Sequence, residues 1–233
     1  MIFNIQIAEH VFKIVSLHDS VFHLCQHYLS IQPAEHTVEI HDWDIVSERY
    51  RTPIRYSDED LEETAVYRKI CEYLALQDTI LFHSSAIAVD GNAFLFAAPS
   101  GTGKSTHVRL WKSHFGDRAV ILNDDKPLIT VKSGRATAYG TPWAGKEDLN
   151  TNTHFPIRSI CFLERGAQNR IQELQKENVF PLLLDQTYRP ESPEAYAAVL
   201  KTLGCLSSSV RFYRLACNMD PEAALVAYQC MKP

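Results

Sequence analysis

Apolar and polar residues recur with two different periods along this chain, and the change of period divides it. Ile2-Phe3-Asn4-Ile5-Gln6-Ile7 alternates as a half-buried strand does, and residues 11–17 follow as its hairpin partner. Asp19 and Ser20 cap an amphipathic segment at 21–29, and residues 37–40 predict a short strand. Residues 58–76 predict a longer helix with Leu61, Ala65, Val66, Ile70 and Leu74 on one face. Residues 1–78 therefore form a small N-terminal α/β region without evident chemistry, suited to shaping or covering a site elsewhere. His23 and His27 would share a helix face near His18 and Cys25. No HExxH glutamate or CxxC pair accompanies them, and surface histidines are the better reading.

From Thr79 the pattern turns strand-rich, and residues 79–233 form a second domain. Residues 80–89 predict a strand, and Asp90-Gly91 is a hairpin turn signal leading into the apolar run 93–97. Residues 106–115 predict a helix closed by Gly116, followed by a buried strand at 118–122. A hairpin spans 128–131 and 136–139, and residues 157–163 form a further strand. A short helix is expected at 181–186, and a longer one starts at Ser192-Pro193-Glu194, with Ser as cap and Pro in the first turn. Residues 210–215 are the last strand, and 223–231 the last helix. The class is α/β.

Between the strand at 93–97 and the helix at 106–115 lies Ala98-Pro99-Ser100-Gly101-Thr102-Gly103-Lys104-Ser105, followed by Thr106. This is the phosphate-loop pattern with Ala at its first position. Small residues let successive backbone N–H groups turn inward around phosphate oxygens, and the helix N-terminus adds its positive dipole end. Ser100, Gly101, Thr102, Gly103, Lys104, Ser105 and Thr106 are thus the nucleotide-binding residues. Lys104 would reach the β- and γ-phosphates, and the Ser105 hydroxyl would ligate Mg²⁺. Read alone, the motif says that ATP or a similar nucleotide is bound.

Composition narrows the setting. The chain has 233 residues, 45% hydrophobic and 22% charged, with a formal net charge of −5. The acidic balance argues against a nucleic-acid partner. No apolar run approaches the roughly 18 residues needed to cross a bilayer, so no membrane partner is expected. The N-terminus lacks the basic start and cleavage site of a signal peptide. Six scattered cysteines without a CxxC pair suit a reducing compartment, and a cytoplasmic location is expected.

The acidic partner of the loop comes early. Asp124 and Asp125 follow the strand at 118–122, which is expected to neighbour the loop strand, and lie 20 and 21 residues after Lys104. Two adjacent carboxylates at a strand's C-terminal end can serve one metal–phosphate centre: one holds Mg²⁺, the other takes the proton of an attacking hydroxyl. We assign Asp124 as base and Asp125 as metal ligand, the reverse assignment remaining open.

AAPSGTGKST followed closely by VILNDDKPL resembles the catalytic domain of HPr kinase/phosphorylase, and SGTGKST is similar to the kinase loop of ATP-dependent phosphoenolpyruvate carboxykinase. The resemblance covers roughly residues 80–163. It implies a P-loop kinase core of the HPr kinase/carboxykinase type on a mixed sheet, with ATP and Mg²⁺ as cofactors. It also implies oligomeric assembly, and places His83, in His83-Ser84-Ser85-Ala86, near the transferred phosphate. The Gly/Leu-rich motif that HPr kinases carry after the Asp pair is missing. Tyr139-Gly140-Thr141-Pro142-Trp143-Ala144-Gly145-Lys146 stands there instead, which moves the acceptor away from HPr itself. In that loop Trp143 would supply an apolar wall and Lys146 a cation for the acceptor. Arg158, Arg165 and Arg170 are candidates for stabilising the transferred phosphoryl group, and Arg109 is expected to face solvent.

The expected activity is a Mg-ATP-dependent serine-kinase-like phosphotransferase, with Lys104, Asp124 and His83 as catalytic residues. Its partners are a nucleotide and a hydroxyl acceptor on a peptide, protein or small molecule. The alternatives are an ATPase, for which a signature such as LSGGQ is missing, and a non-catalytic nucleotide-sensing module.

Overall fold

The computed structural model describes residues 1–232 and divides into two compact units, Met1–Leu74 and Ala75–Pro233. In the first, β1 (Ile2–Ile7) and β2 (His10–Val15) pair antiparallel through a turn at Ala8 and Glu9, both at positive φ. β3 (His36–Glu39) joins β2 in parallel. One face buries Ile5, Ile7, Phe12 and Ile14, and Val11 is buried on the other. The segment predicted as one helix at 21–29 is instead a short α1 (Ser20–Leu24) followed by a 3₁₀ turn, Gln26–Tyr28. Cys25 and Tyr28, three apart, are both buried, which suits the tighter i→i+3 winding. His23 and His27 therefore share no α-helical face.

A helix that periodicity missed, α2 (Asp42–Arg51), precedes the expected α3 (Asp58–Ala75). Trp43, Val46 and Tyr50 of α2 are exposed and only Ile45 among its apolar residues is buried, so its hydrophobic pattern points at no core. It starts instead from a capping box in which the Asp44 carboxylate accepts the His41 N–H at 2.9 Å. α3 buries the five apolar residues predicted for it and also Glu62. That carboxylate is satisfied by the Leu17 and His18 N–H groups at 2.6 and 2.9 Å and by His18 Nδ1 at 2.7 Å.

The second unit is a mixed sheet. Its strands are β4 (Thr79–Leu81), β5 (Ser84–Val89), β6 (Asn92–Ala97), β7 (Ala119–Asn123), β8 (Leu128–Lys132), β9 (Arg135–Tyr139), β10 (His154–Arg165), β11 (Arg170–Glu173) and β12 (Arg211–Cys217). The order is β4-β8-β9-β10-β6-β5-β7, with β12 also on β10 and β11 on β12. β10 pairs in parallel with both β6 and β12, and the other neighbouring pairs described in this sheet are antiparallel. The 12-residue β10 is longer than predicted because its first residues pair with β9 and the rest with β6 and β12.

Two sequence expectations change here. Residues 80–89 are not one strand. The chain breaks at Phe82 and His83, so that β4 pairs with β8 while β5 pairs with β6 and β7. Nor does β7 neighbour the loop strand: the β5–β6 hairpin, closed at Asp90 and Gly91, puts β5 between them.

α4 (Lys104–Phe115) and α7 (Glu222–Met231) cover one face of the sheet, α5 (Phe180–Asp185) and α6 (Pro193–Ser209) the other. Trp111 of α4 is wholly buried against Phe94, Phe96, Phe115 and Tyr228, fixing the helix that begins at Lys104. No helix among the described residues is long and apolar enough to cross a membrane.

Candidate active site

The loop between β6 and α4 turns through Gly101 (φ 77°) and Gly103 (φ 120°), conformations that favour glycine. Gly103 is also the N-cap of α4 and has no side chain to cap the amides of the first turn. Ser100 and Gly101 are exposed, and Thr102, Gly103, Ser105 and Thr106 are half-buried along the loop.

Lys104 turns inward and is 8% exposed. Its Nζ donates to the Ala98 carbonyl at 3.0 Å and lies 3.2 Å from His83 Nε2. Burial pushes the ammonium below its ordinary pKa, with Asp125 pulling the other way. His83 Nε2 is also 3.2 Å from Asp125 Oδ1. The break after β4 is what aims this histidine: its N–H donates to the Gln186 carbonyl at 2.7 Å, and the Ser84 N–H to the Asp125 carbonyl at 3.1 Å. Lys104, His83 and Asp125 thus form one chain of contacts at the base of the loop.

The two aspartates diverge. Asp125 lies between His83 and Lys126, whose Nζ is 3.1 Å from its Oδ2. Burial alone would raise its pKa, but the His83 hydrogen bond and the Lys126 charge outweigh that and hold it at about 2. Asp124 turns to the other side and is only 2% exposed. Its Oδ1 accepts the Gly145 N–H at 2.5 Å, and its backbone carbonyl accepts from Ser85 Oγ at 2.6 Å. Burial lifts its carboxyl above the ordinary range, and the neighbouring Asp125 charge adds to this against the Gly145 hydrogen bond.

A residue that sequence reasoning passed over organises this turn. Asn123 is fully buried. Its Oδ1 accepts the N–H groups of Asp125 and Lys126 at 2.8 and 2.6 Å, while Nδ2 donates to the carbonyls of Thr141 and Trp143. It thereby ties the Asp pair to the 140–146 loop. A buried Asn at a strand end was the available signal. Gly140 is required by close approach, since a Cβ there would lie 2.0 Å from the Thr151 carbonyl. At Gly145 a Cβ would lie 3.0 Å from both Asp124 carboxylate oxygens, close enough that the carboxylate would have to shift.

The remaining candidates separate. Trp143, expected as an acceptor wall, is 6% exposed, so its ring belongs to the interior and little of it faces a substrate. Lys146 is exposed. Arg109 is exposed, as expected, and pairs with Glu147, linking α4 to the 140–150 segment. Arg165 Nη2 donates to the Gly101 carbonyl at 2.7 Å, whereas Arg170 donates to Gln168. Of the three arginine candidates, Arg165 is the one held against the loop.

Among the described residues no three His, Cys, Asp or Glu side chains converge as a metal cage. The donors near the loop are a serine hydroxyl and carboxylate oxygens, a hard set of the kind that suits Mg²⁺ arriving with phosphates.

The profile of the SynChlorMet cassette protein ScmC family matches residues 58–185, more than half of the chain and the whole of the loop, the Asp pair and the 140–146 segment. The chain belongs to the ScmC family. Among curated proteins none matches the sequence. A solved structure to which it is similar is the Hpr(Ser) kinase/phosphatase from Coxiella burnetii, with 10% identity and a TM-score of 0.38 over 64% of this chain and 96% of that one. The ScmC match ends before α6, β12 and α7, so the second unit continues beyond the matched residues.

Proposed function

We propose that this ScmC-family protein is a Mg-ATP-dependent phosphotransferase that moves the γ-phosphate to a hydroxyl, with serine of a peptide, protein or small molecule as the acceptor class. The observation that supports this best is the contact chain Lys104–His83–Asp125 under the GTGKST loop, beside a second carboxylate in an opposite environment. Pairs of titratable groups driven apart in pKa mark separate acid–base roles.

In this reading the loop amides of residues 100–106 and Lys104 hold the phosphates. Ser105 and Asp125, the carboxylate kept ionised, would hold Mg²⁺, which neutralises charge on the phosphate oxygens. Asp124 takes the acceptor hydroxyl proton on Oδ2, its Oδ1 being engaged by Gly145. The acceptor oxygen forms a bond to the γ-phosphorus, the bond from that phosphorus to the β,γ-bridging oxygen breaks, and ADP leaves. His83 lies where it can steady either Lys104 or Asp125 through the same nitrogen. Because Asp124 is nearly inaccessible, the 140–150 segment must shift before an acceptor reaches it.

That same burial is the observation that favours the second reading, a non-catalytic nucleotide-sensing module. Asp124→Asn separates the two. Transfer should fall by about 10²–10⁴-fold, the usual contribution of a general base, while calorimetric ATP affinity stays near wild type. Unchanged turnover in Asp124→Asn would overturn the base role, and ATP binding without turnover in the wild type would favour the sensor.

A further inference from the structure

The loop and Lys104 account for the phosphates of a nucleotide but leave its base and sugar unplaced. Along the flank of the loop runs a groove of about 580 Å³. Gly101, Thr102, Gly103, Thr106, His107 and Leu110 line it on the loop and α4 side. Leu163, Arg165 and Met219 line it on the other, where β10 and β12 end. It therefore opens at the carboxyl ends of the two strands parallel to β6, the position at which open α/β sheets take ligands.

We propose that this groove is a nucleoside subsite, continuous with the phosphate site and taking the aromatic base and ribose of a nucleoside triphosphate. The inference rests on the function proposed above. The volume lies within the roughly 300–1,000 Å³ of small-molecule sites. Leu110, Leu163 and Met219 supply apolar lining, and Met219, 78% exposed, offers an adaptable thioether to a flat ring. Arg165 is held by the Gly101 carbonyl at 2.7 Å, and a guanidinium so fixed is a flat cation of the kind that stacks on aromatic faces. His107 also lines the groove; it is buried, and its Nε2 accepts from Trp111 Nε1 at 3.0 Å. A separate groove of about 310 Å³ along Lys112, Val120 and Asn150 is lined by no residue of the loop. In this proposal the nucleoside lies on the Arg165 flank, and the Asp124 side is left for the acceptor.

The test compares Mg-ATP with Mg-tripolyphosphate by calorimetry on the full chain, in the wild type and in the double variant Leu110→Gln/Met219→Gln. ATP should bind at least about tenfold more tightly than tripolyphosphate, one factor of ten being about 1.4 kcal/mol. The variant should lose most of that advantage while its tripolyphosphate affinity stays unchanged. Equal affinities in the wild type, or an ATP advantage that survives in the variant, would overturn the subsite and leave the phosphate reading standing. A variant that loses both ligands equally would point to loop damage and also overturn it. If neither ligand binds the wild type, the function proposed above falls and the subsite with it.

Discussion

Asp124 and Asp125 are chemically identical neighbours, and their surroundings give them opposite acid–base characters. For Asp124 the folded-state pKa is raised, so the folded protein binds the extra proton and stability falls as pH rises through that value. Asp124→Asn removes this cost. In nucleotide- and metal-free protein, its melting temperature should exceed wild type at neutral pH, and the gap should close under acid conditions. For Asp125 the sign is reversed. A folded value of about 2 against 3.8 contributes stability above the ordinary carboxylate range that is lost as pH falls towards 2. Asp125→Asn should therefore be less stable at neutral pH, by on the order of 2 kcal/mol at 1.36 kcal/mol per pKa unit, and converge with wild type in acid. Equal pH profiles for the two variants would contradict this division. The pair itself was legible in the sequence, from its spacing after Lys104. Its splitting was not, because Gly145 and His83, distant in sequence, reach it only through the folded backbone.

At the scale of elements, the unexpected organiser is the 140–150 segment. It returns along β7 through the Asn123–Asn150 bridge and the Thr151 N–H to the Leu122 carbonyl at 3.0 Å, and it is linked to α4 by Glu147 and Arg109. That ion pair is half exposed and contributes at most about 1 kcal/mol, so it can open without large cost. The Gly145–Asp124 contact holds the carboxylate itself. In Gly145→Ala the new Cβ would crowd both Asp124 oxygens, and transfer should drop by about 10–100-fold with ATP affinity retained, as misplacement of a reacting group does. Wild-type transfer rates in that variant would remove Gly145 from the account. The sequence singled out this loop for its Gly, Pro and Trp content but placed the function on Trp143, which folding buries. α2 was missed for a related reason: all but one of its apolar residues are exposed, and its start is capped by His41 and Asp44 in place of the usual Ser or Thr signature.

For the molecule as a whole, local signals outlasted global ones. The loop, α4, the β8–β9 hairpin and the three C-terminal elements β12, α6 and α7 follow from periodicity, turn residues and Ser-Pro or Asp-Pro helix starts. Strand neighbours do not: nothing in residues 80–89 says that the chain must break at Phe82 and His83 to feed two parts of the sheet. Yet that break is what carries His83 to Lys104 and Asp125. The central claim is that this arrangement transfers a phosphoryl group. Its most direct test is incubation of the full chain with γ-labelled Mg-ATP and a panel of serine-bearing peptides, proteins and small hydroxyl compounds. Label appearing on a hydroxyl acceptor, and disappearing in Lys104→Ala, is the predicted result. Label released only as orthophosphate, or ATP bound and left intact across the panel, would contradict it.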